Sequence, residues 1–219
     1  KQVRNIKHSI NGCQYNLVLI IVKDYVFVNP KEGITYNQTH FKIYASYDRD
    51  AKEPNRDEFE AGITQQPKPE KLNDIETGIE YSKNKITAGA NFYYMFYRDQ
   101  LVLTGKINDV GAYTRTNIPQ SYRAGIELFG KAELNKAITL SGNLTLSKNK
   151  VKNVTEYFDD YDNGGQGSKF YKEANISFSP DIIGSLSLNI VPIKNGLLTF
   201  TGKYVGDQYL DNTSNDKRK

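Results

Sequence analysis

Along most of the chain, apolar and polar residues take turns. From Leu140 the order is Leu-Ser-Gly-Asn-Leu-Thr-Leu-Ser, and from Leu186 it is Leu-Ser-Leu-Asn-Ile. A period of two puts successive side chains on opposite faces of an extended strand. One face is then Leu, Ile, Val, Phe and Tyr, and the other is Ser, Thr, Asn and Lys. Nine stretches follow this pattern, at residues 2–10, 25–36, 41–47, 75–81, 86–103, 122–134, 138–148, 182–193 and 197–210. The second is interrupted at Asn29-Pro30. Proline has no N–H to give a ladder, so a bulge or kink is expected there. The most apolar run, residues 17–22, is β-prone but does not alternate and falls between the first two stretches.

The connections alternate in length. Long ones, rich in charge and glycine, follow the odd-numbered stretches and include 48–73, 104–120 and 149–180. Within the last of these, residues 174–179 are themselves strand-like. Short turns follow the even-numbered stretches, at residues 37–39, at 82–85, near Asn135-Lys136 and at Lys194-Asn195-Gly196. A soluble meander has no reason to sort its loops by parity. A sheet threaded repeatedly through a membrane does, with short turns on one side, long loops on the other, and apolar residues facing outward. The pattern predicts an all-β, antiparallel transmembrane β-barrel. An odd count of strands, and a pattern that breaks off at both ends, predict a partial set from a larger barrel.

Composition agrees. Apolar residues make up 38% of the 219 and mean hydropathy is −0.62. A soluble sandwich needs most of its strands to feed one core. A wide barrel needs only a thin apolar band outside and a polar lumen. There are 16 Tyr and 10 Phe but no Trp, and Tyr-rich strand ends suit interfacial girdles. The Phe92–Tyr97 cluster reads as a strand crossing such a girdle rather than a base-stacking platform. A net charge of +4, from 29 basic and 25 acidic residues, gives no basic stripe for nucleic acid. Cys13 stands alone, so no disulfide framework is predicted. No run of about 18 apolar residues would make a transmembrane helix.

Several segments resemble the barrel of a TonB-dependent outer-membrane receptor. They are Phe27-Val28-Asn29-Pro30-Lys31-Glu32-Gly33-Ile34-Thr35-Tyr36, then Tyr44-Ala45-Ser46-Tyr47, then Lys52-Glu53-Pro54-Asn55-Arg56-Asp57. Lys68-Pro69-Glu70-Lys71-Leu72 leads into Glu76-Thr77-Gly78-Ile79-Glu80-Tyr81, and Ser179-Pro180, Lys203-Tyr204-Val205-Gly206 and Tyr209-Leu210-Asp211-Asn212 come late. The order of these motifs, more than any one of them, carries the resemblance. It implies a barrel of about 22 strands around an N-terminal plug, with this chain supplying roughly the eleventh to nineteenth strands. Residues 1–219 would all belong to the barrel domain, with the plug and the final strands outside them. It also implies energised uptake of a scarce nutrient such as an iron chelate, haem or cobalamin. The implied partners are outer-membrane lipid, the TonB energy-coupling complex reached through the plug, a small nutrient ligand and a surface lipoprotein.

Against this stand a passive porin, which would lack a plug, a lipid-active barrel enzyme and a soluble adhesin sandwich. A barrel enzyme would need a Ser/His pair on adjacent strands, and none stands out. No catalytic residue, cofactor or metal site is predicted. His8 and His40 lack further ligands at useful spacing. Counted from Asp160 as a calcium loop, the fifth position is Gly164 and the twelfth Tyr171, where Asp or Asn and then Glu are required. Candidate ligand contacts are loop residues on the long-loop side: Arg56, Tyr113, Arg115, Tyr157 and Tyr161. Arg56 suits an anionic ligand, or else an inward ion-pair network bracing the barrel top.

Overall fold

The computed structural model describes residues 2–10, 13–21, 23–55, 58–59, 66–107, 111, 113–160, 162 and 164–216. They form eleven antiparallel strands and no α-helix. Two make a separate hairpin, β1 (Gln2–Ile10) with β2 (Cys13–Ile21), in continuous register from Gln2↔Ile21 to Ile10↔Cys13. The non-alternating apolar run therefore lies largely in a strand of its own, which the alternation did not count.

The other nine strands are β3 (Lys31–Asn37), β4 (Phe41–Lys52), β5 (Glu70–Lys83), β6 (Ile86–Ile107), β7 (Tyr113–Glu133), β8 (Ile138–Asp160), β9 (Gly165–Asn175), β10 (Ile182–Ile190) and β11 (Leu198–Val205). They make one open sheet in the order β11-β10-β8-β7-β6-β5-β4-β3, with β9 also on β8. The lower half of β8 pairs with β10 and the upper half with β9. β9 and β10 are thus one strand, broken where six residues, 176–181, face three on β8. Pro180 sits in that break, where it need not donate to the ladder.

The connections β3–β4, β5–β6, β7–β8 and β10–β11 all lie at one end of the sheet. These are residues 38–40, 84–85, 134–137 and 191–197, and at 84–85 the left-handed Asn84 (φ 53°) closes the turn. The opposite end differs from expectation. Residues 104–120 and 149–180 are mostly strand: β6, β7 and β8 continue upward for 22, 21 and 23 residues. A strand of 22 residues is roughly 70 Å long, about twice what a tilted transmembrane strand of ~10 residues needs. β3, by contrast, begins only at Lys31, so residues 25–30 are irregular rather than a kinked strand.

The ladder registers carry each row of side chains across the wall. One row is Ile43, Ile79, Ala90, Leu128, Leu144, Gly184 and Tyr204. The next on the same face is Ala45, Thr77, Phe92, Ile126, Leu146 and Ile182. Ile43, Ile79, Phe92, Leu144 and Leu146 are all exposed. A soluble protein would not present such a band to water; in lipid it costs nothing. The opposite face is polar, with Lys42, Glu80, Asn143, Ser185 and Lys203 in one row and Tyr44, Asn91, Glu127 and Thr145 in the next. On that face three aromatic rings lie over register-partner glycines: Tyr44 on Gly78, Phe129 on Gly89 and Tyr93 on Gly125. A Cβ at any of the three glycines would fall within 2.7 Å of the ring above it, so these rings lie flat only because glycine is there.

Candidate functional site

The polar face and the long-strand end together form the candidate site. Midway up the polar face is a recess of about 350 Å3 lined by Glu76, Asn91, Tyr93, Arg123, Glu127 and Thr145, among others. The inserted residues 176–181 form one side of it. Arg123 donates to Ser179 Oγ at 3.1 Å, Ser147 Oγ donates to the Pro180 carbonyl at 3.2 Å, and the Ile176 N–H donates to the Asn149 carbonyl at 3.0 Å. The Arg123 guanidinium also stands 6.0 Å above the Tyr97 ring. Burial pushes the Tyr97 hydroxyl up from its ordinary value, against the pull of the Arg123 charge. Tyr97 therefore stays a neutral donor across physiological pH. Phe178, left-handed at φ 52° and exposed, caps the insertion.

Above the recess the wall splits. Pairing between β7 and β8 ends at Gln120↔Lys152, while β7 goes on pairing with β6 and β8 with β9. Three residues at this level explain the split. Pro119 has no N–H, Asp99 opposite it on β6 is left-handed at φ 56°, and Asn153 on β8 is left-handed at φ 54°. Strict alternation would put Val151 and Val154 on opposite faces. With Asn153 between them, both are buried in one cluster with Ile118, Ala174 and Ile176. The two long hairpins thereby pack against each other around a small core of their own.

Their seam is specific. The Gln166 side chain on β9 donates to the Gly105 carbonyl at 2.9 Å and accepts from the Ile107 N–H at 3.1 Å. It thus completes for β6 the bonds a neighbouring strand would make. Lys106 lies 5.7 Å over the Tyr157 ring, and the Tyr113 hydroxyl donates to Asp159 Oδ2 at 3.5 Å. Asn212, buried in the segment after β11, donates to the Leu103 carbonyl at 2.9 Å and accepts from the Ser177 N–H at 3.0 Å. That segment leaves the ladder at Val205, which is why β11 is shorter than its alternation suggested.

The β4–β5 connection is held by Asn117. Its amide donates to the Lys68 carbonyl at 2.9 Å and the Asp99 carbonyl at 2.6 Å, and accepts from the Lys68 N–H at 2.8 Å. In the same connection Glu58 is buried, accepts from the Asn55 N–H at 2.6 Å, and meets Arg115 Nη1 at 3.4 Å.

Of the predicted contacts, Tyr113 and Tyr157 share the hairpin seam, and Arg115 turns instead to Glu58. Arg56 and Tyr161 lie outside the described residues. Sequence reading missed Arg123, Glu58 and Gln166. A lone inward Arg in an alternating strand was the available signal for the first. The other two act through contacts between distant segments. Among the described residues, no group of three or more His, Cys, Asp or Glu side chains is placed to hold a metal ion.

Solved structures of similar fold include the ferric-catecholate import receptor Fiu from Escherichia coli K12, at 18% identity and a TM-score of 0.58, over 90% of this chain and 25% of that one. The ferric yersiniabactin uptake receptor FyuA from Yersinia pestis matches at 19% and 0.60, over 95% and 30%. The FrpB iron transporter from Neisseria meningitidis matches at 16% and 0.55, over 88% and 27%. This chain thus spans between 25% and 30% of the length of these three structures. At such identities the likeness establishes the fold. No curated protein sequence matches. A family model described as "TonB dependent receptor-like, beta-barrel" matches residues 15–219, and the chain belongs to that family of outer-membrane transporters, which are not enzymes.

Proposed function

We propose that this chain forms part of the wall of an outer-membrane receptor that captures a scarce nutrient and admits it with energy supplied through TonB. The observation that carries the reading is the two-faced sheet with the turns at 38–40, 84–85, 134–137 and 191–197 at one end and strands running to twice membrane length at the other. The tight turns then face the periplasm, and the packed hairpins stand outside the cell. All 219 residues are assigned to the barrel domain, with plug and closing strands supplied by the rest of the protein. The iron-chelate and siderophore receptors of similar fold favour a small chelate as cargo, with haem and cobalamin next. Tyr113, Arg115 and Tyr157, with Arg56 and Tyr161, are the proposed outer contacts, and Arg123 a contact further down the lumen. A surface lipoprotein is a further proposed partner above the hairpins.

The test uses the full-length receptor from its own outer membrane. Thermal melting is followed with ferric siderophores, haem, cobalamin and oligosaccharides, since a ligand of the folded state raises the melting point by mass action. Uptake is then measured with and without TonB. A selective rise and TonB-dependent uptake are expected. Uptake that is unchanged without TonB would make the protein a passive porin.

A further inference from the structure

Above the split, the inward face of the β8–β9 hairpin carries a second recess. Register partners share a face. Val151↔Ala174 continues the polar-face row of Tyr97 and Ser121, and Asn153 brings Val154, the partner of Tyr171, round to the same face. Glu156↔Lys169 and Phe158↔Gly167 follow above it, while Tyr157 and Phe170 belong to the other face. The recess holds about 410 Å3. It is lined by Glu156, Phe158, Lys169 and Tyr171 of the hairpin and by Thr213 and Asn215 of the segment after β11, with Asp159 at its edge. Its volume lies in the range of small-molecule sites. The two walls are tied together: the Asn175 N–H donates to Ser214 Oγ at 2.6 Å, and the Asn215 N–H to Thr213 Oγ1 at 3.3 Å.

The lining selects by chemistry. The Phe158 ring lies over Gly167, where a Cβ would fall 2.5 Å from it, yet Phe158 is 48% exposed. One side of the ring therefore rests on backbone and the other is open. Glu156, which is buried, and Lys169 are direct register partners, so a strong acceptor and a strong donor of opposite charge stand side by side. Lys169 also reaches over the Tyr171 ring at 5.2 Å. An anionic ligand would meet Glu156, and a cationic one would meet Lys169. Asp159 is already engaged, accepting from Gln166 at 3.0 Å and from the Tyr113 hydroxyl at 3.5 Å. A neutral ring bearing hydroxyls suits both charges at once, because each hydroxyl donates and accepts. Its C–H face suits the electron-rich face of Phe158.

We propose that this recess binds a neutral hexopyranose unit of a glycan, stacked on Phe158 and hydrogen-bonded by Glu156, Lys169 and Asn215. The glycan is either a free oligosaccharide or the sugar chain of a surface polysaccharide. This ligand class is separate from the chelate proposed above and uses none of the contacts assigned to it. The inference rests only on the placement of the outer lobe outside the cell.

The experiment takes the full-length receptor in a sugar-free detergent and measures binding by titration calorimetry and saturation-transfer NMR. The probes are neutral hexasaccharides of glucose, galactose and mannose, the anionic galacturonate and cationic glucosamine oligomers of equal length, and the lipid-free polysaccharide of the cell's own surface. At least one neutral probe should bind, roughly tenfold more tightly than either charged oligomer, since each charged form sets a like charge against one wall. A preference for the hexasaccharides marks a free sugar and a preference for the polysaccharide a surface glycan; either supports the site. Phe158→Ala should weaken binding about tenfold, and Asn215→Ala about fivefold. Phe170→Ala, on the opposite face of the same hairpin, should change it by no more than about twofold. Should Phe158→Ala open the hairpin, seen as faster hydrogen exchange in residues 153–170, Asn215→Ala decides alone, and unchanged affinity there would overturn the site. Binding of no neutral probe, equal or tighter binding of a charged oligomer, or equal losses in Phe158→Ala and Phe170→Ala would also overturn it. Uptake that persists without TonB would overturn the receptor reading and leave this site standing.

Discussion

Gly105 and Gly111 differ in one respect, and the difference measures how firmly the two outer hairpins are joined. Both are left-handed, at φ 77° and 81°. An alanine at either position costs about 1 kcal/mol for holding that conformation. At Gly111 no described atom lies within 4 Å of the new Cβ, so the cost stops there. At Gly105 the Cβ would fall 2.2 Å from the backbone oxygen of Tyr157. Backbone cannot rotate away as a side-chain tip can, so the hairpins must part. Restoring an ordinary 3.4 Å contact takes an opening of about 1.2 Å. The Gln166 bonds to Gly105 and Ile107, now 2.9 and 3.1 Å, would not survive it. Two such bonds contribute about 1 kcal/mol each. Gly105→Ala should therefore cost the outer lobe about 3 kcal/mol and Gly111→Ala about 1. Global melting would hide this, because the barrel below dominates it. Native-state hydrogen exchange of amides in residues 100–107 and 153–170 of the full-length receptor reads local opening directly. Exchange should accelerate roughly a hundredfold in the first variant relative to wild type, and no more than about tenfold in the second. Equal acceleration in both would refute the face-to-face packing of the hairpins.

Other substitutions test the remaining parts of the wall. Leu144→Arg on the apolar face should cost about 2–4 kcal/mol and lower the folded fraction seen as heat-modifiable mobility, while Thr145→Arg on the polar face should leave it unchanged. Arg115→Ala should leave the buried Glu58 carboxylate with the Asn55 N–H but without its cation; since Arg115 is about half exposed, the loss is about 1 kcal/mol, read as faster proteolysis of the β4–β5 connection, with Glu58→Gln in the same background restoring much of it. Asn117→Ala should free that connection further, by about 2 kcal/mol, because three hydrogen bonds end on one amide. Arg123→Ala should increase hydrogen exchange across residues 176–181 while leaving β10 protected, since it releases the Ser179 contact but no ladder bond.

The membrane-spanning part of this wall was legible in the sequence, and the outer part was not. Within the bilayer one environment lies on each side of the sheet. Alternation such as Leu140-Ser141-Gly142-Asn143-Leu144 must then be strict, and reading it yields strand, face and turn at once. The tight turns at Asn84 and Asn195 were equally plain. Above the bilayer both faces of a strand meet water or protein, and the rule relaxes. Tyr157-Phe158-Asp159-Asp160 has no period, yet it is the end of β8, because Gly165-Gln166-Gly167-Ser168 supplies its ladder. Residues 149–180 therefore looked like one long loop and are largely a hairpin. The same cause hid Gln166 and Glu58, whose partners lie 61 and 57 residues away.

The left-handed residues mark where one rule gives way to the other. Asp99 and Asn153 stand at nearly the same height, one on each hairpin, and Pro119 lies between them on β7. Below that level β6, β7 and β8 are neighbours in one barrel wall, and their inward residues are polar. Across it the chain brings Val151, just below the split, together with Val154 and Ile118 above it, and builds a core of its own. A loop that merely joined strands would need no core. A lobe that holds the proposed ligand contacts Tyr113, Tyr157 and Arg115 in fixed relation does, because unpacked loops of this length would lose in ordering entropy much of what a ligand would gain from them. The Asn153 position tests this division. Asn is among the few residues that accept φ near +54° without strain. Asn153→Val would favour continued extension, sending Val154 to the other face. The outer lobe should then lose protection from exchange while the heat-modifiable barrel remains intact. A barrel that unfolded together with the lobe would show instead that the wall and its outer hairpins form one cooperative unit.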